Sequence, residues 1–524
     1  MKKLLSTKFV LMFGALFVFS LACTDLTERT PSSLTSLESE EEFISALGEA
    51  YAVLGGDGGW TAHGGFFALS QISTDETVIP RRGGDWFDGG IWIDTHRHTI
   101  DVDHDPTNAA WTYLFSGVNA TSRIAAQFEQ LRDDGAVDAE LADNFIAEAK
   151  VLRAFYYFFL LDAFGNVPII EDFAAVEGNP PNNSDFDAGR AELFNFIEAE
   201  LLENVPLLDD DVAGAYGRIN QYSGHFLLAK LYLNSEVYTG TERWADAGEQ
   251  LDIIIDSGEF SLETNYFNNF SVDNSGASET IFAIPYDEVF NPGFNWHQMT
   301  LHYEQQAQFN FQDQPWNGYA TLAEFYNSFE DDDLRREGLM SGVQTLPSGE
   351  EITDPGSPGN PVLDLMPEIP ALNMESPDEF PTYRLAGARF AKFEYEQGAT
   401  PNLNNDFPVM RYADVILMKA EVEYRTGNVA TGQMYFDMIR QGNRVGDVGV
   451  LPLNEDNLVA ERGRELYMEI WRRQDLIRFE GQEGETRFND SWWEKSVSDA
   501  YRNVFPIPED QINANPNLNQ NPGY

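Results

Sequence analysis

The strongest pattern in the chain lies at residues 142–164, where apolar side chains recur at helical spacing and then crowd every face from Val151 to Leu160. A helix without a polar face must be buried on most sides. Gly165 and Pro168 stop it. Ser39-x-x-Glu42, ahead of Phe43, Ile44 and Leu47, has the form of a capping box and predicts an earlier helix. Further helices are predicted from Trp111 onward, near 187–204 and 219–234, and near 456–480. In 219–258, Leu228–Leu233 is followed after a turn by Trp244–Ala247 and Leu251–Ile255, and Asp256-Ser257-Gly258 closes the second helix. The stretch 413–440 repeats the theme more loosely, with Ala420 and Tyr424 before a glycine turn and Met434–Ile439 after it. Small residues at crossing points and large ones between them suit stacked tetratricopeptide-like pairs, although two unrelated helical hairpins leave the same trace. Elsewhere the period fades. Residues 55–106, crowded with Gly, Asp, Trp and His, read as long loops. Residues 264–320 read as loops and short strands, 341–382 as a Pro/Gly-rich surface excursion, and the end from Asn515 as coil.

Composition narrows the class. The 524 residues are 43% hydrophobic and include 38 Phe, enough for a large core. With 33 basic and 86 acidic residues the formal net charge is −53, which repels phosphate backbones and excludes nucleic acid as a partner. The acids are spread along the whole chain. That distribution favours a surface kept soluble in high salt, where screening removes self-repulsion, over a local attractor of cationic ligands.

The N-terminus adds an address. Lys2, Lys3 and Lys8 precede an apolar run from Phe9 to Phe19, and Ser20-Leu21-Ala22 leads to Cys23, the only cysteine. The run is shorter than the ~20 residues that a spanning helix needs and has the flanks of a secretory signal. Leu21-Ala22-Cys23 resembles a bacterial lipobox, so residues 1–22 are expected to be removed and Cys23 acylated. Each buried methylene contributes about 0.8 kcal/mol, so several acyl chains give a durable anchor. No later stretch is apolar and long enough to span a membrane. Residues 23–38, polar and rich in Ser and Thr, then read as a tether, 39–215 as an N-terminal region and 216–524 as a C-terminal region of one compact unit.

Four segments in order carry a family resemblance: Glu148-Ala149-Lys150-Val151-Leu152-Arg153-Ala154-Phe155-Tyr156-Tyr157 continued by Phe164-Gly165-Asn166-Val167-Pro168; Pro408-Val409-Met410-Arg411-Tyr412-Ala413-Asp414-Val415 through Ala420-Glu421; Glu461-Arg462-Gly463-Arg464-Glu465-Leu466 with Glu469 and Arg472–Arg478; and Phe505-Pro506-Ile507-Pro508 with Asn515–Tyr524. Together, behind the lipobox, they resemble the SusD/RagB family of Bacteroidetes outer-membrane lipoproteins. Ile439–Gly446 departs from the family's Arg-Ala-Gly turn, and loops 55–106 and 291–320 match no family pattern. The resemblance implies a mostly α fold, a helical scaffold of tetratricopeptide-like hairpins with long irregular loops and a few short strands on one face. It also implies a surface-exposed lipoprotein that captures a glycan, less often a peptide, and passes it to a SusC-like TonB-dependent barrel over which it sits as a lid. Neither catalysis nor a cofactor is implied.

The motif residues have a physical reading of their own. Arg153, Arg411, Arg464 and Arg472 lie among apolar helical neighbours, and a buried guanidinium needs carboxylates in fork geometry. Glu148, Asp414, Glu421, Glu465 and Asp475 are the candidate partners in a scaffold of ion pairs.

A sugar presents apolar C–H faces edged with hydroxyls, which flat aromatic rings and polar side chains on loops can grip. One loop region supplies Trp60, Trp86, Phe87 and Trp92 beside Arg81, Arg82, Asp85 and Asp88; another supplies Trp296, Tyr303, Trp316 and Tyr319 beside Asn295, His297, Gln314 and Asn317. The residues put forward for glycan contact are Trp86, Trp92, Trp296, Trp316, Asp85, Arg81, Tyr303 and Asn317, while core packing under a loop accounts for any single tryptophan equally well. Trp244 and Trp471 sit at helical positions and read as core; Trp492 and Trp493 fit either role. Asp101-x-Asp103-x-Asp105 opens like a calcium loop, but Pro106 replaces the needed glycine and Thr112 stands where a glutamate belongs. With His96, His98 and His104 it reads as a hydrated polar loop, not a metal site. No Gly-x-Ser-x-Gly elbow or phosphate loop occurs. A helical glycoside hydrolase and a structural lid without its own ligand are the rival classes.

The salt reading has a direct check. The thermal midpoint is expected to rise between low and molar NaCl; an unchanged midpoint would contradict it.

Overall fold

The computed structural model describes residues 37, 39–56, 58–171 and 178–524. Cys23, the tract before it and nearly all of the 23–38 segment lie outside the described residues.

Helix α1 (Glu40–Tyr51) begins at Ser39, whose Oγ accepts the Glu42 N–H at 3.4 Å. Two short helices, α2 (Phe66–Ile72) and α3 (Ile91–Arg97), interrupt the region read as continuous loop. Every residue of α2 is buried, and two turns without a polar face leave no period to detect. Helix α4 (Asp105–Asp133) starts ahead of Trp111, with Pro106 in its first turn where a missing N–H is harmless. Helix α5 (Ala139–Phe164) is the apolar helix; it packs between α4 and α6 (Phe186–Asn204), and Val151–Leu160 is wholly buried. Gly165 ends it at φ 73°, where a side chain would also meet the Phe186 ring at 2.7 Å.

Helices α7 (Gln221–Leu233) and α8 (Trp244–Ser257) form the first hairpin. Helix α9 (Trp296–Thr300) is a short buried element within 264–320. The second hairpin, α10 (Tyr412–Arg425) with α11 (Val429–Ile439), packs on the first through α8 and α10. Helices α12 (Glu455–Leu466) and α13 (Arg472–Arg478) complete the scaffold. The fold is mostly α-helical, with tetratricopeptide-like pairs. One buried apolar core runs from Leu37 to Leu518 and draws on both halves of the chain.

Strands are short. They include β1 (Thr77–Val78), β2 (Arg81–Arg82), β3 (Thr280–Ile284), β4 (Ala320–Thr321), β5 (Asn373–Met374) and β6 (Phe407–Arg411), and among the described residues they pair only two by two. β1 runs antiparallel to β4 with Val78 opposite Ala320, β2 runs parallel to β5, and β3 runs antiparallel to β6.

The family motifs converge as a buried ionic frame. Arg411, at the end of β6, reaches Glu279 (2.6 Å), Glu465 (3.1 Å) and Glu469 (2.9 Å). Arg335 reaches Asp333 (2.8 Å), Glu461 (2.8 Å) and Glu465 (3.1 Å). Lys392 binds Glu469 at 2.6 Å, and Arg464 binds Glu461 at 2.6 Å. A second set joins Arg462 to Asp414 and Asp475, both at 2.8 Å, and Arg478 to Asp475 (2.7 Å) and Glu421 (2.8 Å). The candidate partners Asp414, Glu421, Glu465 and Asp475 thus serve in the frame. Three pairings take other routes: Arg153 bonds Glu200, Arg472 bonds Asp75, and Glu148 takes Arg218. Desolvating so many charges is tolerable only when every one is matched; removing a single partner from such a set typically costs about 3–5 kcal/mol.

The frame sets a pH dependence. Burial alone would raise Glu461, yet Arg335, Arg464 and Arg440 hold it down to about 2. Burial is likewise overruled at Glu421, where Arg478 and Arg425 hold the carboxyl at about 2. A depressed carboxyl contributes stability that is complete above its unfolded value near 4.5 and is lost as pH falls toward its folded value. Thermal stability is expected to drop progressively from pH 4.5 to pH 2. In Glu421→Gln that drop is expected to be smaller; an identical pH profile would contradict the assignment.

Candidate functional site

The pairing of β1 with β4 creates the site. The loop that leaves β1 (residues 79–90) and the loop that enters β4 (residues 301–319) emerge on the same side of that short ladder. They meet 230 positions apart in sequence: Trp86 Nε1 donates to the Trp316 carbonyl at 2.7 Å. Phe87 (40% exposed) and Trp316 (37% exposed) present ring surface to water, and Trp86 and Tyr303 are half-buried. His63 lies beneath, its ring 5.1 Å from that of Trp86, 5.0 Å from Trp92 and 6.4 Å from Trp316.

Polar contacts lock the rings. Tyr303 Oη donates to Asp85 Oδ2 at 2.5 Å, and the Arg384 guanidinium stacks on the Tyr303 ring at 4.1 Å. Arg384 is held by Asp354 at 2.8 Å. Arg81 stacks on Phe87 at 4.4 Å while donating to Gly83 O (2.9 Å) and Glu375 (3.0 Å). Burial pushes His63 down to about 4 against the pull of Asp88, so it is neutral at neutral pH. Burial, then the hydrogen bond to Asp85, raises Tyr303. Burial and the Asp354 charge raise the Glu304 carboxyl.

The backbone is strained here. Trp86 (φ 60°), Asp88 (φ 44°) and Asn317 (φ 58°) all occupy the left-handed region, which costs roughly 1–3 kcal/mol each and persists only where surroundings over-determine it. Trp92 Nε1 donates to Asp88 Oδ2 at 2.7 Å. Asn317 Nδ2 donates to Arg384 O (3.0 Å), and its Oδ1 accepts from Arg389 Nη2 (2.7 Å). Gly318 leaves room for Trp86: a Cβ there would sit 2.4 Å from Trp86 Cζ2.

Of the eight residues put forward from sequence, five gather at this face: Arg81, Asp85, Trp86, Tyr303 and Trp316. Three are corrected. Trp296 rides on α9 into the core against Phe67, Tyr319 and Phe390, and is 2% exposed. Trp92 is equally buried on α3 and supports His63 and Asp88. Asn317 is fully buried and pins the loop, so no hydroxyl reaches it. Trp60, Arg82, His297 and Tyr319 are buried as well. His63, Glu304, Glu375 and Arg384 belong to the face, and no local pattern in the sequence marks them. The three neighbouring histidines do not converge: His96 Nε2 lies 2.7 Å from Trp493 O, His98 Nε2 lies 2.9 Å from Ser73 O, and His104 engages Thr95 and Thr107. Among the described residues no cluster of three or more His, Cys, Asp or Glu could hold a metal ion.

Residues 374–524 match the SusD family model. The chain is 27% identical over 462 residues to the starch-binding protein SusD of Bacteroides thetaiotaomicron, covering 79% of this chain and 78% of that one. These matches bear out the resemblance to the SusD/RagB family. Solved structures share the SusD-like fold. Surface glycan-binding protein A from Bacteroides uniformis superposes with a TM-score of 0.71 at 20% identity, covering 92% of this chain and 99% of that one. The protein of the same name from Bacteroides thetaiotaomicron, in complex with laminarihexaose, gives 0.71 at 19% identity over 93% and 100% of the two chains.

Gly318→Ala tests the geometry of this face. The protein is expected to fold, with unchanged far-ultraviolet circular dichroism, but with tryptophan emission shifted as Trp86 is displaced. The same substitution in a Trp86→Phe background should leave emission unchanged; a shift in both backgrounds, or in neither, would contradict the contact.

Proposed function

We propose that this chain is a cell-surface binding protein that captures an oligo- or polysaccharide on the Phe87–Trp316 face and delivers it to a SusC-like TonB-dependent transporter in the outer membrane. The observation that carries the reading is the convergence of two distant loops into one exposed aromatic face held in strained conformations. Flat rings match the C–H faces of sugars, and the carboxylates beside them accept from hydroxyls. The relatives named for binding starch and glycans support the ligand class.

Anchoring and delivery follow from physical need. A ligand held on a surface does not cross a membrane unaided, so a transporter must stand close. No helix among the described residues is long and apolar enough to cross a membrane; the lipid on Cys23 is the proposed attachment, with residues 23–38 as its tether. We assign the face no chemistry: Asp85 and Asp88 are engaged by Tyr303 and Trp92, whereas glycoside hydrolysis needs two carboxyls facing each other across the scissile bond.

Affinity electrophoresis against a panel of polysaccharides tests the reading. At least one glycan is expected to retard the protein. A stacking contact of about 1.4 kcal/mol is a factor of ten in affinity, so Trp316→Ala is expected to weaken that binding by about tenfold or more while leaving circular dichroism intact. Retardation by no glycan, or release of reducing ends from the bound one, would overturn it.

A further inference from the structure

The charges around the aromatic face point in a consistent direction. Among the described residues, the cations near the face are paired with a carboxylate or buried. Arg81 is spent on Glu375 and Gly83 O and lies flat against Phe87. Arg384 gives its Nε to Asp354 and lies half-buried and flat against Tyr303. Arg82 and Arg389 are buried beneath the loops, donating to the Tyr383 carbonyl (2.6 Å) and to Asn317 Oδ1 (2.7 Å). The charges that do reach solvent are carboxylates: Asp85 and Asp88 are exposed, as is Glu375 in its pair with Arg81, and the half-buried Glu304 follows Tyr303 in the chain. Carboxylates accept hydrogen bonds and donate none when ionised.

We infer that this face selects uncharged glycans, whose hydroxyls donate to the rim carboxylates, and rejects polysaccharides bearing carboxylate or sulfate groups. The inference rests on the glycan-capture reading of the same face. An acidic sugar would find no exposed guanidinium to receive it and would meet like charge on the rim, a juxtaposition that suppresses wrong partners. The −53 charge of the chain acts in the same sense at long range, but it is screened by salt, whereas the local arrangement of donors and acceptors is not.

The experiment separates these contributions. Binding of the purified protein to neutral polysaccharides (laminarin, soluble starch, galactomannan, xyloglucan) and to acidic ones (alginate, polygalacturonate, carrageenan) is measured in 1 M NaCl, where a Debye length of about 3 Å leaves only contact interactions. Wild type, Trp316→Ala and Asp85→Asn/Glu304→Gln are compared. The expected result is binding of a neutral chain that weakens about tenfold in Trp316→Ala, with no binding of the acidic chains. Binding of an acidic chain that is lost in Trp316→Ala and strengthened in Asp85→Asn/Glu304→Gln would overturn the selectivity and leave glycan capture standing. Binding of none of the seven, or binding indifferent to Trp316→Ala, would overturn both.

Discussion

The structure depends on arginines buried with their carboxylates where β6, α12 and α13 meet. Arg411 and Arg335 share Glu465, Arg411 and Lys392 share Glu469, and Arg335 and Arg464 share Glu461. Such a network adds little net stability over an apolar core of the same volume, because desolvation offsets most of the Coulombic gain. What it supplies is register. A guanidinium offers five donors in a rigid plane, so each arginine fixes the relative position of two or three chain segments that have no other reason to meet.

That register is transmitted to the aromatic face through short links. Glu469 is carried into the core by a linker in which Met468 (φ 61°) and Ile470 (φ 74°) are both left-handed. The Met468 N–H donates to Glu76 Oε1 at 3.1 Å. The carbonyl of Glu76 in turn accepts from Thr321 Oγ1 (2.9 Å) and from the Leu322 N–H (3.2 Å). This clamps β1 against β4, and the two ligand loops spring from that ladder. A second route runs from Lys392, bound to Glu469, to Arg389, which holds Asn317. The strain stored at Trp86, Asp88 and Asn317 is borne by a scaffold whose own positions are set by charge.

The long elements were legible in the sequence because their physics is local. The apolar tract of α5, its glycine stop, and the two hairpins α7–α8 and α10–α11 follow from period and breakers alone. Helices α2, α3 and α9 were not legible, because elements of five to seven residues, two of them (α2 and α9) buried on every side, are too short to show a period. The arginines announced themselves as buried cations, but their partners did not: Arg472 finds Asp75 from 397 positions away, a pairing that no spacing encodes. At the face, aromatic richness located both loops, yet which rings look outward is decided by tertiary packing. Trp296 and Trp316 belong to one loop region, and α9 turns the first into the core while the β4 approach leaves the second in water. His63 completes the face from within the Trp- and His-rich region 55–106, where nothing singled it out, and Arg384 from a segment whose composition gives no hint of it.

The central claim is that the ionic scaffold exists to hold the Phe87–Trp316 face open for a sugar chain. A crystal structure of the protein with a bound oligosaccharide of the class it retains tests this most directly. The account predicts a pyranose ring within about 4 Å of the Trp316 or Phe87 ring, hydroxyls within hydrogen-bond reach of Asp85, and the two loops unmoved. An oligosaccharide seated elsewhere, for example in the roughly 300 Å³ cavity lined by Arg472, Asp490 and Trp492, with the aromatic face bare, would contradict it.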